Sequence, residues 1–127
     1  MSLRTVLMLV AVAHLGFGAF ALFAPEKVAP IVDLQIDTDA GPGEIRAVYG
    51  GSMCAMGVIV LLGARKKTSD VWLLAAGLGY AGLTVGRAVS LYVDGAQMWT
   101  VIFGAVEATL TVLFAYGARK LRAAQHA

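Results

Sequence analysis

The sequence predicts an all-α polytopic membrane protein, a four-transmembrane-helix bundle, on three observations. Four apolar runs follow one another through 127 residues, each close to the roughly 20 helical residues that cross a hydrocarbon core of about 30 Å. Hydrophobic residues make up 59% of the chain and charged ones only 14%, with a mean hydropathy of +0.78, well beyond the roughly 45–50% apolar usage of soluble domains. Two of the runs carry an ionisable residue deep inside, Arg87 and Glu107. Four spans leave too little chain for anything else, so residues 1–127 are expected to form a single domain.

The first span runs from Thr5 to Ala24, after Arg4. Its small residues near Ala19 and Ala21 resemble a signal-peptide end, but the apolar run continues and meets Pro25, a poor residue after a cleavage site. The segment is therefore expected to stay as a helix. Pro25 and Pro30 then interrupt helix continuation, and Gly41, Pro42 and Gly43 form a flexible approach to the next span. Val28, Ile31, Val32, Leu34 and Ile36 place this 25–44 connection on the membrane surface. The second, third and fourth spans are Ile45 to Ala64, Val71 to Val93 and Met98 to Gly117.

Charge orients the spans. Arg4, Arg65, Lys66, Lys67, Arg119, Lys120 and Arg122 all fall on one side, whereas the long connection carries Glu26, Asp33, Asp37, Asp39 and Glu44 against Lys27. The positive-inside rule makes both termini cytoplasmic. These basic residues sit in short blocks at span ends, so the net charge of +2 is no nucleic-acid signal.

The run Pro25-Glu26-Lys27-Val28, the run Glu44-Ile45-Arg46-Ala47-Val48-Tyr49-Gly50-Gly51 opening the second span, Gly86-Arg87 in the third and Glu107 in the fourth resemble the bacterial domain of unknown function 4345 family. The resemblance covers nearly the whole chain, and its specific part is the segment from Glu44 to Gly51. It implies a four-helix protein of the bacterial inner membrane, similar in plan to the DoxX-like proteins, with no established activity to carry over.

The polar residues inside the spans follow helical spacing. Tyr80, Thr84, Arg87, Leu91 and Asp94 share one face of the third helix, and Thr100, Gly104, Glu107 and Thr111 share one face of the fourth. A rise of about 1.5 Å per residue puts Arg87 and Glu107 roughly 10 and 15 Å below the helix ends that the short turn joins. An arginine side chain covers that difference, so an Arg87–Glu107 ion pair is expected. A lone charge at such depth costs about 2.5–3.5 kcal/mol on insertion scales, which requires a partner or a hydrated cavity. Two readings satisfy that requirement: a pair that only fixes helix register, or a polar binding site with Arg46 and Tyr49 as further walls. A proton relay is a third.

Arg46, Gly50, Met53 and Gly57 share a face of the second helix, where small residues beside an arginine make room for another helix or for an anion. Glu44 suits the positive end of the same helix. Gly79, Gly82 and Gly86, with Ser90, form a separate small-residue stripe of the GxxxG kind, expected to pack helices inside the bundle or between subunits. His14 lies near the middle of the first span, either hydrogen-bonded in the core or contributing to the Arg87–Glu107 site.

Catalytic and metal sites are not expected. No nucleophile, base and orienting group stand at a recognisable spacing, there is no phosphate loop, and Glu107 is the lone candidate acid or base. Cys54, the only cysteine, excludes an intrachain disulfide. With Met53 and Met56 it is read as core filler, because the three do not share a helical face. Two axial histidines for haem are excluded because His126 lies in the tail, and no cofactor is expected. The expected function is binding or passage of a small amphiphilic or anionic molecule, such as a lipid or a quinone-like compound. The alternative is a structural or accessory subunit of a larger membrane complex with no ligand of its own. The expected partners are the lipid bilayer and either further copies of the chain, as a homo-oligomer, or another membrane protein.

Overall fold

In a computed structural model of the chain, described for residues 1–65 and 69–125, every regular element is helical. Four helices, Leu3–Phe23, Gly41–Gly63, Asp70–Val93 and Met98–Ala124, are long and apolar enough to cross a membrane. Lys66, Lys67 and His126, which carry part of the topology and haem readings, lie outside the described residues. The chain divides into two compact units, Met1–Ala64 and Arg65–Ala127.

In the first unit, helix α1 (Leu3–Phe23) begins at Ser2, whose hydroxyl accepts from the Thr5 amide and so caps the first turn. It stops before Pro25, which lacks the amide hydrogen that a further turn needs. Pro25 instead opens a single turn, α2 (Pro25–Val28), followed by a 3-10 turn over Ala29–Val32. Asp33 ends that turn with φ 57, a left-handed conformation that Asp tolerates better than bulkier residues.

The second membrane-length helix begins at Gly41 and contains three segments. Helix α3 (Gly41–Ile45), with Pro42 and Glu44 in its first turn, passes into a π-helical turn over Arg46–Gly51 and then into α4 (Ser52–Gly63). It starts four residues before the expected Ile45, because proline is suited to a first turn where its missing amide hydrogen costs nothing.

Leu7, Ala11, His14, Gly18 and Ala21 form the buried face of α1, at alternating spacings of four and three. Small residues let α4 approach closely. A Cβ placed on Gly18 would lie 2.7 Å from the Cys54 amide nitrogen, and one on Gly57 would lie 2.7 Å from Leu15 Cγ. Both distances are too short for any side chain, so the backbone separation here depends on glycine.

The 25–44 connection folds onto this pair instead of lying wholly at a surface. Val28 and Ala29 join Ala21 and Ile45 in one buried cluster, with Phe17, Val32, Ile36 and Tyr49 packed around it. Of the residues expected to lie on the membrane, Ile31 and Leu34 are exposed. Burial of Val28 and the packing of Val32 and Ile36 follow from the two short turns, which bring apolar residues three and four apart back against α1.

The second unit is a helical hairpin, α5 (Ser69–Val93) and α6 (Met98–Gln125). Gly95 lies in its turn with φ +87, a conformation that side chains rarely adopt. Leu73, Ala76 and Tyr80 of α5 and Phe114 and Ala118 of α6 are its buried residues of the apolar type. The far side of each helix is apolar and exposed, as at Leu78, Val85, Val89, Val101, Ile102, Val106 and Val112, the surface that a lipid environment accepts and water does not. Helix α6 runs beyond the expected Gly117 because Ala118 to Gln125 consists of good helix formers, with Arg122 in the last turn beside the carbonyl end.

Candidate functional site

The two stripes expected on the third and fourth membrane helices meet within the hairpin. Near its open end, Arg122 Nε donates to Asp70 Oδ2 at 3.1 Å. Further along, Tyr80 packs against Phe114 with ring centroids 5.8 Å apart, and a Cβ on Gly77 would touch Phe114 at 3.5 Å. Next come the Thr84 and Thr111 hydroxyls, 3.5 Å apart. Each also donates to a carbonyl one turn back, Thr84 to Tyr80 at 2.8 Å and Thr111 to Glu107 at 2.9 Å. Arg87 and Glu107 follow, with Gly104 alongside the arginine stem. A Cβ there would lie 3.5 Å from Arg87 Cβ.

The ion pair itself is loose. Arg87 Nε lies 3.4 Å from Glu107 Oε1 and 3.4 Å from Oε2, long for a charge-assisted hydrogen bond, and only the Oε1 contact has hydrogen-bond geometry. Oε2 is fully buried and has no hydrogen-bond partner. The two side chains differ in burial, with 35% of Arg87 exposed against 11% of Glu107. Among the described residues, no side chain engages the two terminal nitrogens of Arg87 in a hydrogen bond.

Phe103 completes this group and was missed by the sequence reading. The guanidinium carbon of Arg87 stands 5.4 Å from the Phe103 ring centroid, within cation–π range. Trp99 stacks on the same ring at 5.7 Å. Trp99, Phe103 and Glu107 are spaced by four along α6, so helical periodicity contained the signal, but in a run this apolar a phenylalanine looks like ordinary core.

Exposed aromatic residues bracket the hairpin. Trp72 and Tyr116 lie toward its open end and Tyr92 and Trp99 toward its turn. From Trp72 to Tyr92 the helical rise is about 30 Å, the thickness of a hydrocarbon core with aromatic belts at its two interfaces. Measured from those belts, Arg87 lies about 7 Å and Glu107 about 12 Å inside.

The other expected site residues make contacts in the first unit. Arg46 is exposed and its Nε donates to the Leu22 carbonyl at 3.1 Å, supplying one of the acceptors left unpaired at the end of α1. Tyr49 packs on the buried cluster around Val28. His14 is buried, and its Nδ1–H donates to the Val10 carbonyl at 2.7 Å. Gly50 faces α1, where a Cβ would lie 2.7 Å from Leu22 Cδ2. The room made by Gly50 and Gly57 is thus filled by α1.

The glycine stripe of the third span behaves differently. Gly79, Gly82 and Gly86 are exposed, and a Cβ on Gly82 or Gly86 would meet nothing within 4 Å. A GxxxG spacing reports that a face is small and says nothing of what covers it. Among the described residues, no group of three or more His, Cys, Asp or Glu side chains is placed to hold a metal ion.

Comparison with known proteins agrees with the segment-level resemblance. No curated protein and no solved structure matches the chain. A family model described as a domain of unknown function, DUF4345, matches residues 2–118, which includes both units nearly entire, and the chain belongs to that family.

Proposed function

We propose that the protein binds or passes a small amphiphilic or anionic molecule, lipid or quinone-like, with Arg87 and Glu107 as its polar contacts within the membrane. One observation carries this reading: the pair is incomplete. A buried ion pair kept for register gains most from a fork of two short, parallel hydrogen bonds that leaves no polar atom over. Here a single nitrogen reaches the carboxylate at 3.4 Å and Glu107 Oε2 has no hydrogen bond. A buried acceptor left in that state costs about 1–3 kcal/mol. A polar group on a bound molecule would satisfy it.

Mass spectrometry of the gently solubilised protein tests the reading. A retained amphiphile is expected with the native chain and should be lost from an Arg87→Met, Glu107→Gln double variant. Equal retention by both, or no small molecule with either, would refute it. A second reading, that of an accessory or self-associating membrane subunit, is favoured by the exposed stripe at Gly82 and Gly86. Retention of a stoichiometric polypeptide in the same spectra, lost on replacing Gly82 with leucine, would support it.

A further inference from the structure

The chemistry of the open positions narrows the ligand class beyond the proposed function, on which this step rests. A guanidinium and a carboxylate cancel in charge, so the Arg87–Glu107 pair has no net charge left to offer an anion. A phosphate or carboxylate placed on the terminal nitrogens of Arg87 would bring a second negative charge close to Glu107, in surroundings where charges are poorly screened. What the site lacks is specific: a donor for the buried Glu107 Oε2 and an acceptor for the remaining N–H groups of Arg87. A hydroxyl is the smallest group that is both, with one hydrogen to give and two lone pairs to receive. Carbonyl, ether and phosphodiester groups can accept but have no hydrogen to donate.

We infer that the site takes a neutral amphiphile whose polar end is a hydroxyl, its oxygen accepting from the Arg87 guanidinium and its hydrogen donated to Glu107 Oε2. Access comes through Arg87. That side chain stands against Oε2, its Nε 3.4 Å away, and is itself about a third exposed, and what holds it is one long contact and the face of Phe103. Gly104 leaves its stem unobstructed, since even an added Cβ would reach only ordinary contact at 3.5 Å. The Phe103 and Trp99 rings, stacked at 5.7 Å, offer an apolar wall for the body of the ligand. Two sources share this chemistry: an aliphatic lipid alcohol such as a diacylglycerol, and the hydroxylated ring of a hydroquinone.

The test is native mass spectrometry of the full chain in mild detergent, with ligands in equimolar competition. Dioleoylglycerol competes with dioleoylphosphatidate, and decylhydroquinone with its dimethyl ether. In at least one pair the hydroxyl form should be retained about tenfold over its counterpart, the ratio expected when a buried acceptor gains its hydrogen bond. The pair that shows the preference identifies the source. In Glu107→Gln the amide can present N–H where Oε2 stood, so the preference should fall to parity or reverse.

Phosphatidate retained as well as the diacylglycerol, with no preference in the quinol pair, would overturn the hydroxyl assignment and leave the binding reading standing. Retention of none of the four ligands overturns the hydroxyl assignment, and the copurification experiment then judges the binding reading separately. An unchanged preference in a folded Glu107→Gln chain also overturns it. The native ranking decides without the variant, so a variant that fails to fold leaves the test intact.

Discussion

Removing one member of the Arg87–Glu107 pair should not cost the same as removing the other, and the asymmetry can be worked out from burial. Arg87→Met leaves a carboxylate whose side chain is 11% exposed, with Oε2 already lacking a hydrogen bond. That loss should lie near the lower end of the range for an abandoned buried charge, about 3 kcal/mol, because the contact given up is long. Glu107→Gln leaves an arginine that is 35% exposed and long enough to turn its head toward the nearer interface. Its cost should be about 1 kcal/mol.

If the two losses were independent, the double variant would lose about 4 kcal/mol; paired residues should lose only about 2, a coupling of roughly 2 kcal/mol. The assay is equilibrium unfolding of the four chains by SDS titration in mixed micelles, with helical signal as the readout. Additivity within about 0.5 kcal/mol would show that the two side chains do not act as a pair. Equal single losses would refute the burial argument even if coupling were present.

Four further outcomes follow from other parts of the molecule. Gly18→Ala should destabilise by about 1–3 kcal/mol through overpacking, since its Cβ would meet the Cys54 backbone at 2.7 Å. Gly82→Ala and Gly86→Ala, which meet nothing within 4 Å, should stay within about 0.5 kcal/mol in the same unfolding assay. Arg46→Met should cost about 1 kcal/mol, read by the same titration, because the Leu22 carbonyl loses its donor. Reporter fusions at the two ends should both be cytoplasmic, as the basic blocks of the sequence require; activity of either fusion on the opposite side would reverse the assignment.

The parts of this structure that were legible in the sequence are those that depend on one period and one length. Apolar runs of membrane-spanning length specify four helices, and spacings of three and four place Tyr80, Thr84 and Arg87 on one stripe and Thr111, Glu107 and Gly104 on a matching stripe of the neighbouring helix. The π turn at Arg46–Gly51 was not legible. It inserts one residue into the period that such reasoning assumes, and only the Gly50-Gly51 pair hints at a relaxed backbone there. The folded connection was missed for a related reason. Val28, Val32 and Ile36 are apolar, which fits a membrane surface and a protein core equally well until the turns at Pro25 and Pro30 are known. Glycines failed in a third way, because sequence shows that a face is small, whereas Gly57 and Gly82 differ in what stands across from them.

Depth explains why a loose pair is tolerable at this position in the hairpin. Arg87 lies about five residues inside Tyr92, and Glu107 eight inside Trp99, so along the helix axis the acid is the deeper by about 4–5 Å. An arginine whose Cα is nearer the interface can reach inward to the acid or outward to headgroups, and its partial exposure fits a head with both options. The acid has no such choice, its side chain being only 11% exposed. Had the two been level, a two-pronged contact could have closed both oxygens and left nothing for a ligand. Because they are staggered, the arginine approaches through Nε, its terminal nitrogens stay outside the contact, and Oε2 is left over. The same stagger that weakens the pair as a brace thus creates a donor and an acceptor side by side, and shifting the arginine one turn inward along the face that meets α6, as in a Thr84→Arg, Arg87→Thr exchange, should close the pair and abolish retention of a hydroxyl ligand.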